Sequence, residues 1–131
     1  MPLEVLTRLP VVRERDALSQ PAWFVAVPLN SARRELLRLY NFDEALPALF
    51  EIRMYAFDKF FGSTVLTLAP AQGIVPGYAE LKDFRSVLQN ASPYLQQISI
   101  EVRPLAPNAR FWAFISSTDN VTQNILTILP D

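Results

Sequence analysis

The stretch RRELLRLYNFDEALPALFEIRMYAFD, residues 33–58, decides the fold, because it can be read as a helix leading into a strand or as two strands. Its second half is the plainer. Phe50, Ile52, Met54 and Ala56 alternate with Glu51, Arg53, Tyr55 and Phe57, the period-2 pattern of a half-buried strand. In the first half Leu36, Leu37, Leu39 and Tyr40 fit a helical stripe that Asn30-Ser31 could cap. They fit a strand equally, with Leu37 and Leu39 inward and Arg38 outward. A turn-rich linker, NFDEALP, follows at once, and a helix here would place Arg33 and Arg34 in its first turn, where the dipole disfavours cations. The strand reading is favoured and the helix stays the alternative. Two strands so placed form a hairpin or face each other across a sandwich.

Working outward, eleven prolines against three glycines cut the chain into short pieces, which suits an all-β domain with loops. AWFVAVPL (22–29) reads as a buried strand, STVLTLAP (63–70) as a short one closed by Pro70, and QQISIEVRPL (96–105) carries Ile98, Ile100 and Val102 on one face. ARFWAFISS (109–117) is apolar on both faces, as a covered central strand should be, and a turn at Thr118-Asp119-Asn120 leads into VTQNILTILP. In YAELKDFRSVLQN, Tyr78, Leu81, Phe84 and Leu88 recur at helical spacing, so one short helix is predicted over residues 78–89. The expected fold is an antiparallel β-sandwich, Ig-like or jelly-roll-like, of about seven strands with one short helix. Residues 1–20 read as an N-terminal arm or edge strand, and residues 21–131 as the sandwich domain.

Composition bounds the function. The 131 residues make one domain, long enough to bury roughly two thirds of its unfolded surface. Twelve Lys and Arg against thirteen Asp and Glu give a net charge of −1, without the surplus a phosphate-backbone binder needs, so nucleic acid is not expected as the main partner. Ten of the twelve cations are arginine, which suits bidentate and stacked interface contacts. The absence of Cys rules out disulfides and thiolate metal sites, and the absence of His rules out imidazole base catalysis and the usual zinc ligation. MPLEVLTRLPVV shows neither a charged leader with a long apolar run nor an A-x-A site, and nowhere do about 18 apolar residues run together. A soluble, unexported chain with no membrane span is the expectation.

FWAFISSTDNVTQNILTILP combines a tryptophan strand, an Asp-Asn turn and a Thr-Gln, and resembles the C-terminal strand pair of β-sandwich domains in bacterial exported and surface proteins. RELLRLYNF is similar to the arginine- and leucine-rich opening strand of such domains, which ends in Tyr-Asn. The likeness covers about residues 33–42 and 110–130. It implies a sandwich with a structural or binding role, in which the Trp strand and the turn are framework and no catalytic residues are carried. The chain departs from the family in lacking its export signal.

No catalytic, cofactor-binding or metal-binding residues are assigned. Asp43, Glu44 and Glu51 could supply an acid/base pair or a calcium site, but Asp43-Glu44 sits where turn acids are ordinary and EF-hand spacing is absent. Ser116, Ser117 and Thr118 have no nucleophile elbow and no His beside them, so they read as a strand end and turn. Asn90-Ala91-Ser92 and Asn120-Val121-Thr122 match the N-glycosylation pattern, which matters only for a eukaryotic secretory product. Arg34, Arg38 and Tyr40 share one strand face and read as solvated. The aromatic cluster YAFDKFF is more telling, because adjacent outward aromatics mark contact surfaces. Tyr55, Phe57, Phe60 and Phe61, with Arg34, Arg38 and Arg53 fixing register, form the expected interface.

The function expected from these features is non-enzymatic assembly: a self-associating subunit of a virion, filament or surface layer, partnered by copies of itself or other structural subunits. The alternative is a monomeric binding module for a protein or carbohydrate.

Overall fold

A computed structural model describes residues 17–43, 45–73, 75–106 and 109–131. Eight strands run in order: β1 (Ala22–Pro28), β2 (Arg33–Asn41), β3 (Ala48–Ala56), β4 (Lys59–Leu68), β5 (Gly77–Leu81), β6 (Gln97–Pro104), β7 (Phe111–Asp119) and β8 (Ile125–Ile128). They form two antiparallel four-stranded sheets, ordered β1-β6-β3-β4 and β5-β2-β7-β8.

Residues 33–58 are therefore two strands, and they lie in opposite sheets. The linker between them crosses from one layer to the other, and Asn41 fixes the crossing. Its buried Nδ2 donates to the carbonyls of Leu46 at 3.2 Å and Ala69 at 3.1 Å, while its Oδ1 accepts from the Asp43 N–H at 3.0 Å. A buried amide satisfied on both sides can hold a loop where an unpaired one would cost stability.

The inward rows are those the alternation predicts. Leu37 and Leu39 of β2, Phe50, Ile52 and Met54 of β3, and Ile98, Ile100 and Val102 of β6 are buried in one core. Phe50 meets Phe111 of the other sheet with ring centroids 4.8 Å apart, which joins the layers at the centre of that core. Strand β1 keeps both Phe24 and Val27 inward, although they stand three positions apart, because a bulge adds one residue between them and places Ala26 at φ 54°.

The predicted helix over residues 78–89 does not form. Its first part is β5, paired to β2 with Tyr78 opposite Tyr40, Glu80 opposite Arg38 and Leu81 opposite Leu37. Its middle is a single 3-10 turn, Phe84–Ser86, capped by the Asp83 side chain, with Phe84 buried. A helix of that length is marginal on its own, and the free edge of β2 offers five residues of ladder instead. Leu81 and Phe84 reach the core from a strand and a turn, so helical spacing arose without a helix. Gly77 marks the close approach that starts β5: a Cβ there would lie 1.8 Å from the Ala69 carbonyl oxygen. Among the described residues the strands thus number eight, not about seven with a helix.

Of the arm expected over residues 1–20, the part up to residue 16 lies outside the described residues. Leu18 pairs with Phe111 as an isolated bridge.

Candidate functional site

The expected interface residues divide among three places. The YAFDKFF stretch is a tight hairpin: Ala56 pairs with Lys59, and Phe57 and Asp58 form a two-residue turn with φ of 52° and 63°. Tyr55 and Phe60 stand opposite each other on the outer face of the β1-β6-β3-β4 sheet, 5.6 Å between centroids, and Trp23 of β1 lies 5.4 Å beyond Tyr55. Arg53 joins them, its guanidinium carbon 4.7 Å from the Phe60 centroid and its Nε donating to the Tyr55 hydroxyl at 2.8 Å. The Tyr55 hydroxyl and then the Glu51 carboxylate push the Arg53 pKa above its ordinary value. Phe57 stands at the tip, 92% exposed.

Phe61 goes elsewhere. The pairing shifts register between Met54 and Tyr55, leaving Phe61 as the extra residue of β4, and it packs half-buried against the core. The Gln89 N–H donates to its carbonyl at 2.7 Å. Arg34 and Arg38 lie on β2, in the other sheet: Arg34 donates to Gln123 at 2.8 Å, and Arg38 is paired with Glu80. Three of the seven residues, Tyr55, Phe60 and Arg53, are thus brought together on one face, with Phe57 beside them at the hairpin end.

Glu101 anchors that face. Its side chain is 4% exposed, and Arg103 at 3.2 Å and Arg53 at 3.8 Å pair with it. With Glu51 at 3.4 Å from Arg53, two carboxylates and two guanidiniums balance within one patch.

Sequence reasoning missed Tyr94. It is 83% exposed, and with Phe57 and Leu95 it lines a hollow of about 380 Å³ at the hairpin end. The Pro93-Tyr94 dipeptide signals a turn, but nothing in the sequence places that turn beside residue 57.

Tyr94 also stands at the rim of a larger open cleft of about 1040 Å³, between the β1–β2 connection, the start of β2 and the segments around residues 82–85 and 93–96. Arg33 and Glu35 of its lining are joined behind it by a buried polar chain through Ser117. Arg33 Nε donates to Ser117 Oγ at 2.6 Å, and that hydroxyl donates to Glu35 Oε1 at 3.1 Å. Burial pushes the Glu35 carboxyl above its ordinary value, partly offset by the Ser117 hydrogen bond and by Arg33. Ser117 is thus more than a strand-end hydroxyl, and Glu35 escaped notice although it shares the inward parity of Leu37 and Leu39.

The remaining candidates are local. Asp43 Oδ1 accepts from the Ala45 and Leu46 N–H groups, a turn role, while Glu44 lies outside the described residues. Among the described residues no group of three or more acidic side chains could hold a metal ion, and no helix is long and apolar enough to cross a membrane. Asn90 and Asn120 are both exposed in loops.

The site and fold together define an all-β domain of two packed four-stranded sheets. No protein-family model and no curated protein matches the chain. It is similar to the crystal structure of Thermotoga maritima 1070, with a TM-score of 0.57 over 86% of this chain and 93% of that one. At 13% identity the likeness is one of fold.

Proposed function

We propose that this chain is a non-enzymatic β-sandwich subunit that assembles with copies of itself through the hairpin end and outer face of the β1-β6-β3-β4 sheet. Self-association of this kind suits a virion, filament or surface layer, in line with the resemblance to bacterial surface domains. Because β1, β2 and β3 pass alternately between the two sheets, a jelly-roll-like arrangement is favoured over an Ig-like one.

The observation that carries the reading is Phe57. A left-handed backbone position disfavours a bulky side chain, and a phenylalanine 92% exposed there gains nothing from the core. Such a residue serves neither folding nor solubility, which leaves contact with another molecule as its use. Tyr94 beside it, and Trp23, Tyr55, Phe60 and Arg53 along the same sheet, supply the aromatic and arginine content typical of interface centres. The two Arg and two Glu leave the patch neutral, so a second copy can meet it without net repulsion.

Light scattering after size exclusion, across a dilution series, tests this on the native chain and on Phe57→Ser. Assemblies are expected for the native chain, with dissociation favoured roughly 30-fold in the variant, the effect of losing an interface anchor. A 14.9 kDa monomer at every concentration, indifferent to the substitution, would sink the proposal. The second reading, a monomeric binding module, is favoured by the open cleft at the start of β2.

A further inference from the structure

We propose that the free edge of β4, over residues 63–67, pairs antiparallel with the same edge of a second copy and joins two β1-β6-β3-β4 sheets into one about a two-fold axis at Val65. This contact goes beyond the one at the hairpin end and does not depend on it.

The direction of the backbone groups follows from the ladder. The Leu105 N–H donates to the Leu49 carbonyl at 3.0 Å, so Leu49, Glu51, Arg53 and Tyr55 bond to β6 and the residues between them bond to β4. Their β4 partners are Leu68, Leu66, Thr64 and Gly62, which leaves the N–H and C=O groups of Ser63, Val65 and Thr67 pointing out of the sheet. Among the described residues these three have no main-chain partner on that side. The Phe61 carbonyl, turned the same way, accepts from the Gln89 N–H at 2.7 Å.

The chain closes both ends of this edge and leaves its middle open. Val87 lies against Gly62, where a Cβ would come within 2.1 Å of the Val87 carbonyl oxygen, and Gly77 lies against Ala69. The other sheet edges are guarded. β1 is bulged and ends in Pro28, with its Trp23 carbonyl accepting from the Asp131 N–H, while β5 and β8 have five and four residues. β4 has ten, and no charged residue stands between Lys59 and Glu80. Its open stretch has no charge, proline or bulge, which makes it a template for another strand.

A second copy of the same edge is the occupant that fits. The open stretch is centred on Val65, so antiparallel pairing sets the two Val65 residues opposite each other and each Ser63 opposite a Thr67, with every free N–H meeting a C=O. Neither strand carries a charge there, so like meets like without repulsion. Thr64 and Leu66, half-buried at this edge, gain cover. Such a contact alone closes into a dimer; alternating with a separate contact at the hairpin end, it propagates into an open chain of subunits.

Light scattering after size exclusion on the full chain carrying Phe57→Ser tests the edge with the hairpin contact removed. A concentration-dependent dimer is expected. Adding Val65→Lys should weaken it roughly tenfold, by setting two ammonium groups opposite each other, and mixing equal amounts of Val65→Lys and Val65→Glu chains should restore it. Val65 is 51% exposed, so both substitutions leave the core intact. A monomer at every concentration, a dimer indifferent to Val65→Lys, or a mixture no better than Val65→Lys alone would each overturn the proposal. Native assemblies that fall to monomers with Phe57→Ser would sink the edge contact and keep the hairpin one. Dimers unchanged by Phe57→Ser and broken by Val65→Lys would do the reverse.

Discussion

Phe50 and Phe57 are seven positions apart on one β-hairpin, and they show what the same side chain does in two settings. Phe50 is wholly buried and meets Phe111 across the sheets, so its ring holds the two layers together. Phe57 is 92% exposed on a backbone that phenylalanine disfavours. The first ring stabilises the fold; the second costs stability in the monomer. What differs is not the side chain but its setting: a strand facing a second layer in one case, a left-handed turn position facing solvent in the other.

The largest expected effect lies at the buried ring. Phe50→Ala should destabilise the domain by about 3–5 kcal/mol, through lost transfer energy and the cavity left against Phe111. Denaturant unfolding measures it, and a loss below about 1 kcal/mol would mean that the core closes over the gap.

A smaller effect of opposite sign is expected at the tip. Asn-Gly is the preferred pair for a turn with two left-handed residues, so Phe57→Asn combined with Asp58→Gly should stabilise the monomer by about 1 kcal/mol. The same double variant should lose self-association. Thermal unfolding together with light scattering would show both; a variant that is less stable and still assembles breaks the comparison at its exposed end.

The smallest effects separate two carboxylates by the same contrast of inside and outside. Burial raises the pKa of Glu35, so its stabilisation is complete below the unfolded-state value and is lost as pH rises through the folded one. Asp119, at a turn, accepts backbone N–H bonds from Thr122 and Val121, which lower its pKa. Its stabilisation is present above the unfolded-state value and is lost as pH falls through the folded one. Melting temperature against pH should therefore show Glu35→Gln gaining on the native chain as pH rises past about 4.5, and Asp119→Asn falling behind it as pH rises toward about 3.8, with no further change above that value. Curves parallel to the native one would refute the assigned causes.

Much of this was legible in the residues. Alternation at residues 50–56 and 98–102 gave strands with the correct faces, since a strand half in water must write its burial at period 2. The same parity, carried two residues back from Leu37, would have marked Glu35 as an inward acid. It would likewise have set Ser117 in line with Ala113 and Ile115. The turn at residues 57 and 58 was hidden because Phe-Asp carries no turn signature. The Tyr55, Phe60 and Arg53 grouping could be guessed from one hairpin, but Trp23 joined it from a strand in a different part of the chain, and Phe61 left it through a bulge.

The sequence by itself determined that these residues form an all-β fold and carry no thiol or imidazole side chain, because composition and alternation are local properties of the chain. Only the tertiary structure decided that residues 78–81 pair as an edge strand, since a short amphipathic segment takes whichever partner the fold leaves open. It alone brought Glu35, Lys82 and Tyr94 around one cleft. Long-range pairing sets which distant residues become neighbours, and no period within a single strand records it.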